Sequence, residues 1–392
     1  MHQAFLIIAI VPVCLWAYLL LARGFFWRVA VDQSLPATTK ARVAAVVPAR
    51  NEAGVVEKCV ASLLRQSGPV VHVVLVDDAS TDGTAESARA AAATVGCPER
   101  LTVIASIPLA EGWTGKLWAV RQGMERALAT SPDFLLLTDA DVEHGPEAVA
   151  TLISIAERGG YDMASYMVKL HCESEAEKLL IPAFVYFFFQ LYPPAWIADA
   201  KAKTAGAAGG CMLVRPAALA RAGGIEAIRS EIIDDCALAR AIQRSGGRVW
   251  LGLTESSRSL RSYGSFAEIG RMIARTAFNQ LRHSTLLLAG TVIGLVLTYL
   301  LPAALLASGD RPAMALGGAA WAMMAASYLP IVRFYGLNPV WALTLPLAAV
   351  FYMSATVWSA VQYWRGRGGQ WKGRAQDAAL SRTKPSGLRN QR

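Results

Sequence analysis

Residues 71–84 read Val71-His-Val-Val-Leu-Val-Asp77-Asp78-Ala-Ser-Thr-Asp82-Gly83-Thr84, a β-branched run that ends on carboxylates, a polar turn and the start of a helical pattern. This stretch predicts a buried strand feeding a helix, with acidic groups at the strand's carboxyl end. The same grammar recurs on either side. Val43 to Val47 runs into Pro48-Ala-Arg50-Asn-Glu52, Leu101 to Ile107 forms another β-rich run, and Phe134 to Leu137 ends on Thr138-Asp139-Ala140-Asp141. Helical spacing is expected near 53–66, 83–94, 116–129 and 146–157. Strands alternating with helices over residues 42–160 imply parallel strands joined by crossover helices.

Two familiar phosphate-binding patterns are absent. No G-x-G-x-x-G follows the first strand, which speaks against a dinucleotide oxidoreductase, and Gly112-Trp-Thr-Gly115-Lys116-Leu117 lacks the Walker residues, with Ala at 110 and Leu at 117. The carboxyl ends of the strands are acidic instead, and open α/β sheets bind ligands there. An Asp-x-Asp turn offers hard oxygen donors suited to Mg²⁺ or Mn²⁺, which take further ligands from water and substrate phosphates. Asp82 and Ser80 are better read as turn and helix-cap groups. For Asp78, Asp139 and Asp141, two acidic groups converging on one crevice favour a ligand site.

Composition extends the reading beyond a soluble domain. Hydrophobic residues make up 54% of the 392 and charged residues 17%, with mean hydropathy +0.35, so part of the chain belongs in lipid. Ala4 to Ala22 carries no charge and is flanked by Arg23-Gly-Phe-Phe-Trp-Arg28 rather than by a small-residue cleavage site. It reads as a retained anchor spanning residues 1–23, with the basic flank and the polar region after it in the cytoplasm. Three further apolar stretches, about 285–307, 313–332 and 340–364, form an expected C-terminal bundle over 285–364. Residues 365–392 hold eight of the 38 Lys and Arg against Asp377 alone and carry most of the net charge of +9. A basic tail beside an apolar segment meets anionic headgroups, which argues against a nucleic-acid partner. It reads as a disordered tail. Four spans would put both termini outside the cytoplasm, in conflict with that tail. Either the tail is an exception, or one C-terminal segment is re-entrant, as Pro302, Pro330 and Pro346 would allow. Six cysteines without C-x-x-C spacing signal neither zinc nor redox chemistry.

In order along the chain stand Val47-Pro-Ala-Arg-Asn-Glu52, Val-Asp-Asp-x-Ser-x-Asp-Gly-Thr at 76–84, Gly115-Lys116 with Ala119, Thr-Asp-Ala-Asp at 138–141, Gly209-Gly210 before Arg215, and Glu231-Ile-Ile-Asp234-Asp235 before a helix. Together they resemble glycosyltransferase family 2, the inverting GT-A enzymes, over roughly residues 43–255. The anchor and C-terminal bundle resemble the ceramide glucosyltransferase arrangement. The block at 112–119, the aromatic run at 184–193 and Ala274-Arg275-Thr-Ala277 look most like the bacterial hopene-associated glycosyltransferases. The resemblance implies a GT-A-like, mostly parallel sheet flanked by helices, with one N-terminal and about three C-terminal transmembrane helices.

It also implies roles. Pro48, Arg50, Glu52, Asp77, Asp78, Lys116, Asp139 and Arg275 would bind the donor, with Asp78 on the nucleobase, Asp77 supporting it and Asp139 on the ribose or diphosphate. Asp141, with Asp139, would hold Mg²⁺ or Mn²⁺; Asp235 would be the base; Gly209, Gly210 and Asp234 would lie on the acceptor side. One departure stands out: many membrane relatives carry Gln or Arg, two residues, then Arg-Trp, where the nearest match in this chain is Met272-Ile-Ala-Arg275-Thr276.

The chemistry explains why such residues are needed. Departure of a nucleoside diphosphate builds negative charge that a cation stabilises, and an alcohol acceptor needs a carboxylate to take its proton. A single base without a carboxylate nucleophile implies one displacement and inversion. Asp234-Asp235 also has a plain alternative as a helix N-cap. Ile181 to Ala198, bounded by Pro182 and Pro193-Pro194, is expected to be interfacial, as is an amphipathic helix over 263–284 in which Phe266, Ile269, Ile273 and Phe278 alternate with Arg271, Arg275 and Arg282. The expected whole is a multi-pass enzyme of the cell inner membrane, with a cytoplasmic catalytic domain over 42–260, moving a sugar from a nucleotide donor, UDP-linked, to a membrane lipid such as a hopanoid. The rivals are a polyprenyl-phosphate or polysaccharide glycosyltransferase and a catalytically silent scaffold.

Overall fold

The computed structural model describes residues 2–28, 31, 35–366, 370–371 and 374–375, with side chains from residue 6 to 366 within those ranges. Most of the expected tail at 365–392 therefore lies outside the described residues. The described residues divide into two compact units, one drawn from 32–169, 205–261 and 360–392 and the other from 1–31, 170–204 and 262–359. Residues 170–204, inside the stretch 42–260, thus group with the second unit.

In the second unit, helix α1 (His2–Ala22) is the N-terminal apolar helix. In the first unit, strand β1 (Arg42–Ala49) is followed by α2 (Ala53–Leu64), β2 (Val70–Asp77), α3 (Thr84–Val95), β3 (Leu101–Ala105), α4 (Gly115–Leu128), β4 (Phe134–Thr138), β5 (Val142–His144), α5 (Ala148–Gly159) and β6 (Met163–Lys169). The sheet runs β3-β2-β1-β4-β7-β6-β8-β5, where β7 (Cys211–Val214) and β8 (Val249–Ser259) arrive later in the chain. The pairs β3/β2, β2/β1, β1/β4 and β6/β8 are parallel, while β7 runs antiparallel to both β4 and β6, and β5 antiparallel to β8. The sheet is mixed, with a parallel majority. β1 is buried from Val43 to Ala49, as expected for a strand covered on both faces.

The crevice follows from strand register. β1 pairs with β4 from Val43 to Val46, but continues beside β2 through Ala49. Pro48, which has no N–H to donate, lies past the last β4 partner, where the two strands part. The chain moves outward in opposite directions from this pair, to β2 on one side and to β7 on the other, so β1 and β4 flank a topological switch point. Helix α4 lies close against this part of the sheet: a Cβ at Gly123 would come within 2.5 Å of Val46 Cγ1 and 2.8 Å of Val76 Cγ2.

The second unit is helical. Helix α6 (Glu175–Leu191) opens with a capping box between Ser174 and Glu177 and continues through Pro182. Pro182 therefore does not bound this segment as expected: the cap sets the start upstream, and the missing proline donor is tolerated inside the helix. Burial would raise the Glu177 carboxyl pKa, but backbone N–H groups of Tyr263, Ser174 and Glu173, with His171, hold it down to about 2. Tyr186 of α6 is buried and bonded to Ser327 at 2.6 Å, so part of this aromatic run is core. The short α7 (Pro194–Ala198) follows; in the first unit the chain then forms α8 (Pro216–Arg221) and α9 (Asp234–Arg244).

Helix α10 (Phe266–Gln280) returns to the second unit, followed by α11 (Thr285–Leu295), a π-helical turn at Val296–Leu300, α12 (Leu301–Leu306), α13 (Arg311–Phe334) and α14 (Leu345–Trp364). The apolar face of α10 packs on α14. Ser359 Oγ accepts from Phe278 N at 3.1 Å and donates to Ala274 O, and the Phe266 and Phe351 rings meet at 6.0 Å. Arg271, Arg275 and Arg282 remain exposed. Thr285–Leu306, Arg311–Phe334 and Pro339–Trp364 are long and apolar enough to cross a membrane, while the apolar stretch Leu6–Ala22 is shorter.

Candidate active site

The crevice of the first unit gathers strand-end turns and helix starts from across the chain. The turn after β1 is laced to the turn after β2. Asn51 N donates to Ser80 Oγ, Glu52 N to Thr84 Oγ1, Ala53 N to Asp82 Oδ2, and Thr81 N to Asn51 Oδ1, all within 3.0 Å. Ser80 and Asp82 thus serve as turn-building groups. Asn51 and Ala79 hold left-handed backbone angles, φ 53° and 54°. For Ala79, strain of this kind persists only where the surroundings enforce it. Asp78 is buried, and Arg50 Nη1 donates to its carbonyl at 2.6 Å while lying 3.4 Å from its carboxylate. Asp77 Oδ1 accepts from Ser80 N, fixing the turn that presents Asp78.

The second cluster begins at the Asp-x-Asp turn between β4 and β5. Lys116, in the first turn of α4, bridges Asp139 Oδ1 at 3.0 Å and Asp234 Oδ2 at 3.2 Å. Thr114 caps that helix, accepting from Leu117 N. Burial alone would lower the Lys116 pKa, but Asp139 and Asp234 override it and push the pKa above the ordinary lysine value. Asp234 and Asp235 are the first two residues of α9, so neither is its N-cap, which is Ile233. Asp235 accepts from Gly209 N at 2.9 Å through Oδ2 and from Cys236 N at 2.7 Å through Oδ1. Burial, then the adjacent Asp234 charge, raise its pKa above the usual carboxylate range. That is the direction that equips a carboxylate to take a proton near neutrality. Gly209 lies directly beside both charged groups: a Cβ there would meet Asp235 Oδ2 at 3.4 Å and Lys116 Nζ at 3.6 Å, ordinary van der Waals contact. Gly210 joins through its carbonyl, which accepts from Thr138 Oγ1 at 2.7 Å.

On the other side of the turn, Asp141 Oδ2 lies 2.5 Å from Arg261 Nε, and Arg261 Nη2 lies 2.8 Å from Glu52 Oε1. The structure therefore gathers Glu52, Asp139, Asp141, Lys116, Asp234, Asp235 and Gly209 in two neighbouring charge networks on one turn. Pro48 lines the adjoining apolar recess with Val46, Leu137, Met212 and Leu238. Arg275 is on α10, in the helical unit.

Sequence reading missed Arg261 and His144. Arg261 carries no motif; its one signal is a basic residue just beyond a strand end. His144 bridges Thr138 Oγ1 and Ser257 Oγ, both at 3.0 Å, and burial lowers its pKa to about 4, so it acts as a neutral brace. Burial, with Asp141 and Asp139 nearby, raises the Cys59 pKa and keeps it a neutral thiol.

Among the described residues no group of three or more His, Cys, Asp or Glu side chains forms a cation cage. The two carboxylates of the Asp-x-Asp turn nevertheless fit a cation that completes its shell with water and phosphate. Each has one oxygen engaged in the ion pairs described, and the other remains as a further donor atom.

Residues 44–222 match the family profile described as Glycosyl transferase family 2. No curated protein matches the chain. Among solved structures, a mannosyltransferase from Pyrobaculum calidifontis in complex with GDP-Man and Mn²⁺ is 19% identical with a TM-score of 0.53, the match covering 90% of this chain and 99% of that one. S. aureus TarS 1-349 in complex with UDP-GlcNAc is 13% identical, with a TM-score of 0.38 and coverage of 83% and 92%. Glucosyl-3-phosphoglycerate synthase from Mycobacterium tuberculosis in complex with Mn²⁺ and UDP-glucose is 18% identical, with a TM-score of 0.39 and coverage of 61% and 78%. The likeness to the mannosyltransferase is one of fold: the sheet and its flanking helices are GT-A-like, as expected from the sequence.

Proposed function

We propose that the chain is a membrane-bound, metal-dependent, inverting glycosyltransferase of family 2 that moves a sugar from a UDP-sugar to the hydroxyl of a membrane lipid. The observation that carries this reading is the bridge from Asp139 through Lys116 to Asp234, with Asp235 hydrogen-bonded to Gly209 beside it. It sets a donor-side carboxylate and a raised-pKa base around one fixed cation. The profile match over 44–222 and the Mn²⁺ and GDP-Man in the mannosyltransferase structure support the same chemistry.

Asp78, held by Arg50, accepts from the nucleobase, and Asp77 stabilises that turn. Asp139 meets the ribose or diphosphate, and Lys116 offsets charge that grows on the leaving phosphate. A divalent ion at Asp141 would supply Lewis-acid polarisation of the diphosphate. Asp235 removes the acceptor's proton as the hydroxyl attacks. With no second carboxylate cast as nucleophile, the displacement is single and the anomeric centre inverts.

Three helices able to cross a membrane support a lipid acceptor, and the resemblance to hopene-associated enzymes points to a polycyclic lipid of the hopanoid kind. The inner membrane, with the catalytic unit in the cytoplasm, is the matching location. The test uses full-length protein in detergent with Mn²⁺, a panel of nucleotide sugars and extracted lipid. Transfer is expected from at least one donor, and Asp235→Asn is expected to cost on the order of 10²–10⁴-fold in rate with nucleotide affinity retained. Absence of both turnover and metal-dependent nucleotide binding would leave a scaffold as the better reading.

A further inference from the structure

Asp141 and Glu52 come from different turns, 89 residues apart in sequence, yet both are satisfied by a single guanidinium. The two carboxylates are the more buried partners, with side chains 14% and 13% exposed, whereas Arg261 is 38% exposed. The cation therefore sits at the mouth of the site with its acceptors beneath it. The backbone around it is tied separately: Leu260 N donates to Asp141 O at 2.7 Å and Arg261 N to Ser259 Oγ at 3.3 Å. Departure of the side chain leaves those anchors in place. Two carboxylates against one guanidinium also leave a net negative charge, which a divalent ion and a diphosphate would alter together. A guanidinium matches phosphate oxygens in a two-point geometry, and a divalent ion arriving with the diphosphate would compensate the buried carboxylates it leaves.

We propose that Arg261 is a donor-diphosphate-binding residue that rests on Asp141 and Glu52 until the nucleotide arrives. On donor binding its guanidinium moves from Asp141 to the phosphate oxygens, and the Asp141 carboxylate becomes available to the divalent ion. The inference rests on the nucleotide-sugar reading above. It makes Arg261 at once a competitor of the metal in the donor-free protein and a partner of the phosphates in the complex, so its removal has opposite effects on two binding constants.

The experiment measures Mn²⁺ alone, from loss of the aqueous Mn²⁺ paramagnetic resonance signal, and UDP in the presence of Mn²⁺ by calorimetry, on full-length protein in detergent. Arg261→Ala is expected to bind Mn²⁺ alone several-fold tighter and UDP with Mn²⁺ on the order of tenfold weaker or more. Arg261→Lys, which keeps the charge without the fork, should fall between wild type and Arg261→Ala on both axes, and it provides the readout if the alanine variant does not fold. Unchanged constants overturn the proposal, as does a parallel weakening of both, which would mark a residue that only braces the turn. UDP binding that requires Arg261 but is indifferent to Mn²⁺ also overturns it, because the guanidinium would then have no metal to make way for. Wild-type protein that binds no UDP at all defeats the functional reading itself, and this inference with it.

Discussion

Asp139 and Asp141 lie two residues apart on one turn, yet their cations differ in kind. Lys116 is carried by the first turn of a helix seated against the sheet, and its ammonium is shared between Asp139 and Asp234, joining the Asp-x-Asp turn to the start of α9. Arg261 follows a strand end and is twice as exposed, its side chain 38% accessible against 19% for Lys116. One pairing is a fixed element of the site and the other a replaceable occupant. The difference teaches that a two-carboxylate turn need not act as a unit: one carboxylate is tied into the architecture through one of its oxygens while its neighbour's cation is kept exchangeable.

The comparison breaks most visibly at Lys116. Lys116→Met leaves Asp139 and Asp234 without their shared cation, so transfer should fall on the order of 10²–10³-fold. Stability should fall by about 2–4 kcal/mol, below the fully buried range because Asp139 is partly exposed, as read by chemical denaturation of the detergent-solubilised protein. If Arg261→Ala costs as much stability as Lys116→Met, the contrast between the two pairings is wrong.

A pH profile sharpens the same contrast. The Asp235 carboxyl is pushed up by burial and by Asp234, and a base works only when ionised, so transfer should be lost as pH falls through a value above the ordinary carboxylate range. Asp234→Asn removes the like charge, and the acid limb of kcat should move to lower pH. An unmoved limb would place the essential base elsewhere.

Smaller effects are expected from Thr138→Val, which strips His144 and the Gly210 carbonyl of a partner on the fixed side of the turn. A loss of about 1–3 kcal/mol is expected, with donor affinity little changed. Smallest of all is Arg258→Ala. This arginine lies on β8, just upstream of Arg261, and pairs with Glu143, but its side chain is 66% exposed, and its loss should cost under about 1 kcal/mol with Mn²⁺ and UDP binding unaltered.

The parallel half of the sheet is legible because β1, β2 and β4 are buried over most of their length and read as apolar runs, interrupted in β2 by His72, that turn residues close. The other half is not. β5 has three residues and β7 four, and β8 carries Gly252, Thr254, Glu255, Ser256 and Arg258, so no periodicity announces them. Within the site, residues clustered in short motifs could be found because each motif is local. Arg261 could not, because it reaches Asp141 across 120 positions and Glu52 across 209, contacts that only the folded sheet creates. Pro182 misled for a related reason: a proline is a boundary by default, but Ser174 and Glu177 had already started the helix upstream.

The seating of α4 has one more consequence. Gly123 lies seven residues beyond Lys116, about two helical turns, with its α-carbon pressed toward Val46 and Val76. A methyl group there would act as a wedge, tilting the rod that carries the ammonium and changing how far it reaches over the carboxylates. The reach of a charged group in the crevice is thus tuned from a hydrogen atom some 10 Å away, at a position that no inventory of polar residues would include.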